Sequence, residues 1–271
     1  MDLITLALPF PLYTTLLICL LTCCLIMIFV WSWAKRIHNA GVVDVFWALN
    51  FVVIGVLLFA LTPGYLPRRT LICTMLILAG GRLSLHLGIR VLGHLGEEEG
   101  RYRQLRKDWV PNANWKFFWF FQMQAFSNVL LAIPFFISTN NPHSPLSGWE
   151  FAGTALWLLA FTGEAVADRQ LAAFKRNVAN KGKVCNAGLW NYSRHPNYFF
   201  EWLMWMAYFV FSLGSPIGWL ALLSPLIILY LLLKVTGIPA TEQQSLRSKG
   251  AAYENYQRQT SVFIPWFKKN N

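Results

Sequence analysis

Three basic side chains, Arg82, His86 and Arg90, recur four residues apart and so stack on one helical face, where two guanidiniums and an imidazole suit an anion. An ionised group inside a membrane span is costly unless it faces a cavity or a partner, so the same column alternatively pairs with Asp44, Glu164 or Asp168 on neighbouring helices. Glu164 and Asp168 are themselves one turn apart, with Lys175 further along, a pattern that orients a cofactor's hydroxyls or neutralises the cations. The segment Asn191-Tyr192-Ser193-Arg194-His195-Pro196-Asn197-Tyr198 then leads into an apolar run, and Glu201 follows Asn197 by one turn on the same face. Pro196 at the helix entry leaves the following N–H groups free to meet an anion or amide; His195 serves there as a ligand or as a cap. Asp44 and Trp47 share one side of another helix start, where an acid either does chemistry or complements the helix dipole. These groups read as one ligand site with positive and negative subsites.

The elements that must position them are membrane helices. Of 271 residues, 56% are hydrophobic and 13% charged, which excludes an ordinary soluble domain. Seven apolar runs, at 5–33, 43–61, 70–93, 115–138, 149–175, 198–213 and 216–235, each approach or exceed the length that crosses hydrocarbon as helix. The first is too long for a signal-peptide core and has no Lys or Arg before it, so it is expected to be retained. Assigning the cations to loops puts 20 of the 23 Lys and Arg on one side, leaving Arg68 and Arg69 opposite and Arg82 within a span. That asymmetry predicts seven transmembrane helices, N-terminus outside and C-terminus cytoplasmic. It also explains the net charge of +11 without nucleic acid as a partner. The fold class expected is an all-α polytopic membrane bundle, one domain over 1–271, in a bacterial inner membrane or, for a eukaryotic chain, the endoplasmic reticulum. The polar loops 93–114 and 177–197 lie on the cation-rich side, whereas the outer loop 139–147 reads as a plain turn. The outer halves of the spans carry almost no ionisable residue beyond Glu150, placed at an interface. Five cysteines, four of them in apolar helix, indicate neither a disulfide framework nor a metal site.

The run Asn191 to Glu201, NYSRHPNYFFE, with Tyr253-Glu254-Asn255-Tyr256 and Phe263-Ile264-Pro265-Trp266-Phe267, resembles the steroid 5α-reductase C-terminal fold family. Asp44-Val45-Phe46-Trp47, the stretch Arg82 to Arg90, and the stretch Arg101 to Trp109 bring it closer to the branch called DUF1295, over about residues 40–267. The resemblance implies NADPH as cofactor, with hydride passed to a conjugated C=C of a lipid or steroid-like substrate. Carried over by position, Asp168 and Asn197 hold the nucleotide, Glu201 the nicotinamide region, and Arg90 and Arg101 its phosphates or adenosine part. Arg82, His86, Glu164, Lys175, Arg194, His195, Tyr198 and Tyr256 complete the expected cofactor-binding set. Lys175 stands where steroid reductases have an Arg, which keeps the charge and loses the bidentate fork. The keto-polarising Tyr of those enzymes is replaced by Leu87 and their Gln-Glu pair is missing, so the proton donor is open between Asp44 and Tyr102. The same Arg-His-Pro motif also resembles isoprenylcysteine and phospholipid methyltransferases, which implies S-adenosylmethionine instead, with Glu242 and Arg247 in a compatible tail. A non-catalytic lipid- or nucleotide-binding membrane protein is the third class.

Overall fold

Hydrocarbon cannot hydrogen-bond to a backbone, so a chain this apolar satisfies its N–H and C=O groups within helices. The computed structural model describes residues 12–235 and 237–268, and these contain no strand beyond one isolated parallel bridge between Ser193 and Ser261. The start of the first expected span, 5–11, and the tail cation Lys269 lie outside the described residues.

The helices are α1 (Leu12–Ile37), α2 (Val42–Leu61), α3 (Leu66–Leu92), α4 (Gly100–Asp108), α5 (Ala113–Leu131), α6 (Ile133–Thr139), α7 (Gly148–Arg176), α8 (Pro196–Ser212), α9 (Leu223–Tyr230), α10 (Ile238–Lys249) and α11 (Ala251–Gln259). Among the described residues, α1, α2, α3 and the helical run Gly218–Lys249 are long and apolar enough to cross a membrane, and the bent pair α5–α6 makes a fifth. The protein is an all-helical membrane protein. The run 115–138, expected to be one span, is bent by 42° where α5 ends and α6 begins. Pro134, in the first turn of α6, has no N–H to continue the ladder, which accounts for the break. The loop 93–114 holds a helix of its own, α4.

The helices gather into two compact units. In the first, comprising described residues up to Leu146 together with Ser215–Leu220, α2 runs along α3 while α1 packs on α5 and α2. Cys19, Cys23, Met27, Val30 and Ala34 form the buried stripe of α1, at the three- and four-residue spacing of one helical face. Leu17, Leu21, Leu25 and Phe29 are exposed on another face, as a lipid-facing surface requires. A polar seam joins α2 to α5: Trp47 Nε1–H donates to Ser127 Oγ at 3.0 Å, Asn128 Nδ2–H to Trp47 O at 3.0 Å, and Asn50 Nδ2–H to Asn128 Oδ1 at 3.0 Å. At the other end of this unit the expected plain turn is a fixed structure, because the buried Arg68 guanidinium donates to Asn141 O at 2.9 Å and His143 O at 2.7 Å.

In the second unit, Ser147–Gly214 with the described residues from Ala221 onward, α7 lies along α8. Their approach is close enough to require glycine: a Cβ on Gly163 would meet the Phe200 ring at 2.5 Å, and one on Gly153 would meet the Phe211 backbone at the same distance. Trp157 Nε1–H donates to Tyr208 OH at 2.9 Å across this contact. Glu150, expected at an interface, is fully buried, and its carboxylate accepts from the Ser147 N–H at the start of α7.

Candidate functional site

The chemistry-bearing residues divide between the two units. The first holds Asp44, Arg82, His86, Arg90, Arg101 and Tyr102; the second holds Glu164, Asp168, Lys175, Arg194, His195, Asn197, Tyr198, Glu201 and Tyr256.

In the first unit, α4 is short and strongly basic, and its apolar positions Tyr102 and Leu105, with Trp109 at its C-cap, recur at helical spacing, so it turns Tyr102 inward. The Tyr102 hydroxyl donates to Asp44 Oδ1 at 2.6 Å, a length typical of a hydrogen bond to a carboxylate. The two alternatives for proton donor are therefore one hydrogen-bonded pair. Tyr102 is 0% exposed, so it acts on anything outside the pair only through the half-buried Asp44. Burial first, and then the Asp44 charge, push the phenol well above its usual range and keep it a donor. The Arg101 guanidinium lies over the Tyr102 ring, 5.1 Å from its centroid.

A second carboxylate supports this pair from behind. Glu98 binds Arg106 through both oxygens, at 2.7 and 2.9 Å, and accepts from the Ala40 N–H at 2.9 Å, two residues before α2 begins. Burial raises the Glu98 pKa, but the Arg106 and Ala40 hydrogen bonds outweigh it and hold the carboxyl below its ordinary value. Asn39 closes the same junction, donating to Leu95 O at 3.1 Å and accepting from Gly41 N–H at 2.9 Å. The start of α2, and with it Asp44, is thus tied to the segment that carries Tyr102. On α3, His86 and Arg90 are exposed and Arg82 is half-buried and engaged. Arg90 pairs with Glu99 at 3.0 Å, an acid outside the set expected for it. The acidic run Glu97-Glu98-Glu99 just beyond α3 was the available signal, because charges in a tight turn fold back on the last cations of the helix they follow.

In the second unit, Asn197 Nδ2–H donates to Asp168 Oδ1 at 3.4 Å, joining α8 to α7. Asp168, Asn197, Tyr198 and Glu201 are all half-buried, and Glu164 is buried one turn before Asp168. Lys175 is exposed near the end of α7. The Arg-His-Pro motif is differently engaged. Arg194 Nε donates to Glu242 Oε1 at 2.6 Å, and its Nη1 donates to Gln257 O and Thr260 O at 2.8 and 2.9 Å. His195 Nε2 lies 3.3 Å from the same Glu242 oxygen, and its ring stacks on Tyr198 with centroids 5.4 Å apart. Gln257 Nε2–H donates to Glu242 Oε2 at 2.9 Å, so this carboxylate gathers three side chains. Tyr198 OH meets Thr241 Oγ1 at 3.3 Å. The Tyr256 hydroxyl donates to Trp190 O and Ser193 O, and burial followed by the neighbouring Tyr253 raises its pKa. Arg194, His195 and Tyr256 fasten α10 and α11 to the turn before α8, while Asp168, Asn197 and Glu201 occupy the α7–α8 seam beside it.

Sequence reasoning did not single out Glu98, Arg106 or Gln257, and gave Glu242 no structural role. Nothing local marks a carboxylate whose cationic and imidazole partners, Arg194 and His195, lie 48 and 47 residues away.

Residues 30–260 match the family model described as "Protein of unknown function (DUF1295)". An uncharacterized protein of Schizosaccharomyces pombe is 25% identical over 207 residues, covering 67% of this chain and 60% of that relative. The chain thus matches less than two thirds of the relative's length. No solved structure matches.

Proposed function

The chain belongs to the DUF1295 family, and on that premise we propose that it is an NADPH-dependent reductase that acts on a conjugated C=C of a lipid or steroid-like substrate. The observation that carries this reading is the α7–α8 seam, where Asp168 and Asn197 are in contact and Glu201 follows one turn along α8. Half-buried carboxylate and amide groups held by a close helix pair suit the ribose hydroxyls and carboxamide of a nicotinamide nucleotide, which need acceptors and donors at fixed positions. NADPH, when bound, supplies the hydride. The reduction also consumes a proton, and in the first unit Asp44 is the group assigned to relay it, with Tyr102 as the residue that positions Asp44. In this reading Arg194, His195 and Tyr256 keep the turn before α8 in register, while Arg82, His86, Arg90, Arg101, Glu164, Lys175 and Tyr198 remain candidates for the nucleotide's charged and polar groups.

The topology proposed with it is seven crossings, with α7 and α8 spanning as well as the five stretches above, the N-terminus outside and the C-terminus cytoplasmic. The cation asymmetry supports it. A fluorescent-protein fusion and an alkaline-phosphatase fusion at the C-terminus test the orientation: fluorescence without phosphatase activity is expected, and the reverse overturns it. The bilayer proposed is a bacterial inner membrane, or the endoplasmic reticulum for a eukaryotic chain.

A second reading is methyl transfer from S-adenosylmethionine. It is favoured by one observation, the Glu242 carboxylate on Arg194 and His195, because the methyltransferase resemblance combines that motif with a tail glutamate. Thermal stabilisation of the detergent-purified chain by NADPH, NADH and S-adenosylmethionine separates the two, since a ligand that binds only the folded state raises its stability. NADPH alone is expected to shift the melting temperature, and Asp168→Ala or Asn197→Ala to reduce that shift with little loss of unliganded stability. A shift by S-adenosylmethionine alone, or a full NADPH shift in both variants, overturns the reductase assignment.

A further inference from the structure

Beyond Thr260 the chain runs along the turn that precedes α8. Arg194 N–H donates to Ser261 O at 2.8 Å, Ser193 Oγ–H to Phe263 O at 2.8 Å, and Trp266 N–H to Tyr192 O at 2.9 Å. Phe263 turns inward, 6% exposed, with its ring against Phe199 and Trp202. Ile264, Trp266 and Phe267 turn outward at 59, 68 and 73% exposure, and Val262 is also exposed. A loose tail can fold such side chains away. This one is fixed at both ends of the strap, so the apolar surface is held in display.

What it is displayed to follows from its place and its charge. Pro196 opens α8 immediately after the turn, which sets the strap at the end of that helix, the depth at which a spanning helix leaves hydrocarbon for headgroups. Tryptophan is enriched at that depth, where an amphipathic ring has apolar and polar neighbours at once. Residues 255–268 contain Arg258 and Lys268 and no Asp or Glu, and Lys269 follows in the sequence. An aromatic and aliphatic face with a cationic border complements an anionic bilayer surface. Water alone leaves the apolar face unexplained, and a neutral surface leaves the charge unused.

We propose that residues 262–268 are an interfacial anchor: Ile264, Trp266 and Phe267 insert at the boundary of headgroups and acyl chains, and Lys268 and Arg258 draw anionic lipid to it. This rests on the seven-crossing topology only in taking α8 as a span.

The test uses the full chain with Ile264→Cys, labelled with nitrobenzoxadiazole and reconstituted in phosphatidylcholine vesicles with and without phosphatidylglycerol. The wild-type chain, treated identically, is the blank for its native thiols. Lipid brominated on its upper acyl carbons is expected to quench the label and aqueous iodide to leave it bright, with the bromolipid effect weaker when phosphatidylglycerol is omitted. Quenching by iodide alone places the strap in water and overturns the proposal; protection from both places it under protein, a second copy or another segment, and also overturns it. Equal bromolipid quenching in the two compositions overturns the anionic preference. Trp266→Phe gives an independent readout, expected to remove a bromolipid-quenchable part of the intrinsic fluorescence. The label reports the same depth in either leaflet, so an error in orientation appears only in the C-terminal fusions, and the two failures are distinguishable.

Discussion

The polar seam between α2 and α5 makes an asymmetric prediction about two asparagines. Asn128 accepts from Asn50 and donates to Trp47 O, an arrangement that fixes both amides: Asn50 must turn its nitrogen to Asn128, which leaves Asn50 Oδ1 buried without a partner. Both residues are 0% exposed. Asn128→Leu therefore strands the whole Asn50 amide, and a buried unsatisfied polar group costs about 1–3 kcal/mol. Asn50→Leu strands only the Asn128 oxygen and removes the unpaired Asn50 oxygen, so it is the milder change, close to neutral if the two effects offset. The double variant replaces both partners by side chains of similar volume and should lie above Asn128→Leu, with a coupling energy of about 0.6 kcal/mol, the average for interhelical hydrogen bonds in membranes, and no more than about 1.7. Reversible unfolding of the four proteins in lipid–detergent micelles measures the cycle. Equal losses in the two single variants, or strict additivity in the double one, would refute this reasoning.

Three further outcomes follow from the clusters around Asp44 and Glu242. Tyr102→Phe removes the donor at 2.6 Å from Asp44 and is expected to lower stability by about 1.5–3 kcal/mol, as for hydrogen bonds to charged groups; adding Asp44→Leu should recover part of that loss, and a fully additive loss tells against the pair. Because the folded pKa of Glu98 lies below its unfolded value, the contribution of Glu98 is complete above the ordinary carboxylate range and fades as pH falls through the depressed one. Hydrogen exchange at Ala40, corrected for intrinsic rate, should lose protection over that interval, and Glu98→Gln should remove the pH dependence. Glu242→Ala leaves the largely buried Arg194 without its counter-charge and His195 without its carboxylate partner, at a cost of about 3–5 kcal/mol for a broken buried pair. Limited proteolysis should then cut within 242–268 before any other described segment, and wild-type resistance would show that the carboxylate is not what holds the tail.

How much of this was legible beforehand depends on the range over which each feature is specified. Spans such as α2 and α3 are set by local hydropathy, and their observed limits differ from the expected 43–61 and 70–93 by at most a few residues. The bend between α5 and α6 was marked by Pro134, which the apolar run concealed because proline does not lower hydropathy enough to interrupt it. Helix α4 was hidden differently: its charges read as loop, and only Tyr102, Leu105 and Trp109 at helical spacing announce an inward face. Asp44 and Tyr102 were each identified from residue type, but their contact joins positions 58 apart in the chain, and nothing local encodes it. The Glu242 cluster is the extreme case, since each partner looks like an ordinary interfacial charge until the tail folds back.

The engagement of Arg194 and His195 bears on how motif resemblances should be weighed in this chain. A motif carries function only through side chains left able to meet a ligand, and here Arg194 satisfies a carboxylate and two backbone carbonyls while His195 is 2% exposed. The part of NYSRHPNYFFE that touches α7 is its second half, where Asn197 donates to Asp168 and Glu201 follows one turn along α8. In this chain the Arg-His-Pro half holds the turn before α8 to the tail, and both resemblances share it. On the proposed reductase reading, Asn197, Glu201 and Asp168 meet the nicotinamide nucleotide; both cofactors carry a ribose, so the groups that separate them are the carboxamide of one and the sulfonium of the other. On that reading, substitutions at these residues, and not in the Arg-His-Pro half, are expected to separate the two chemistries.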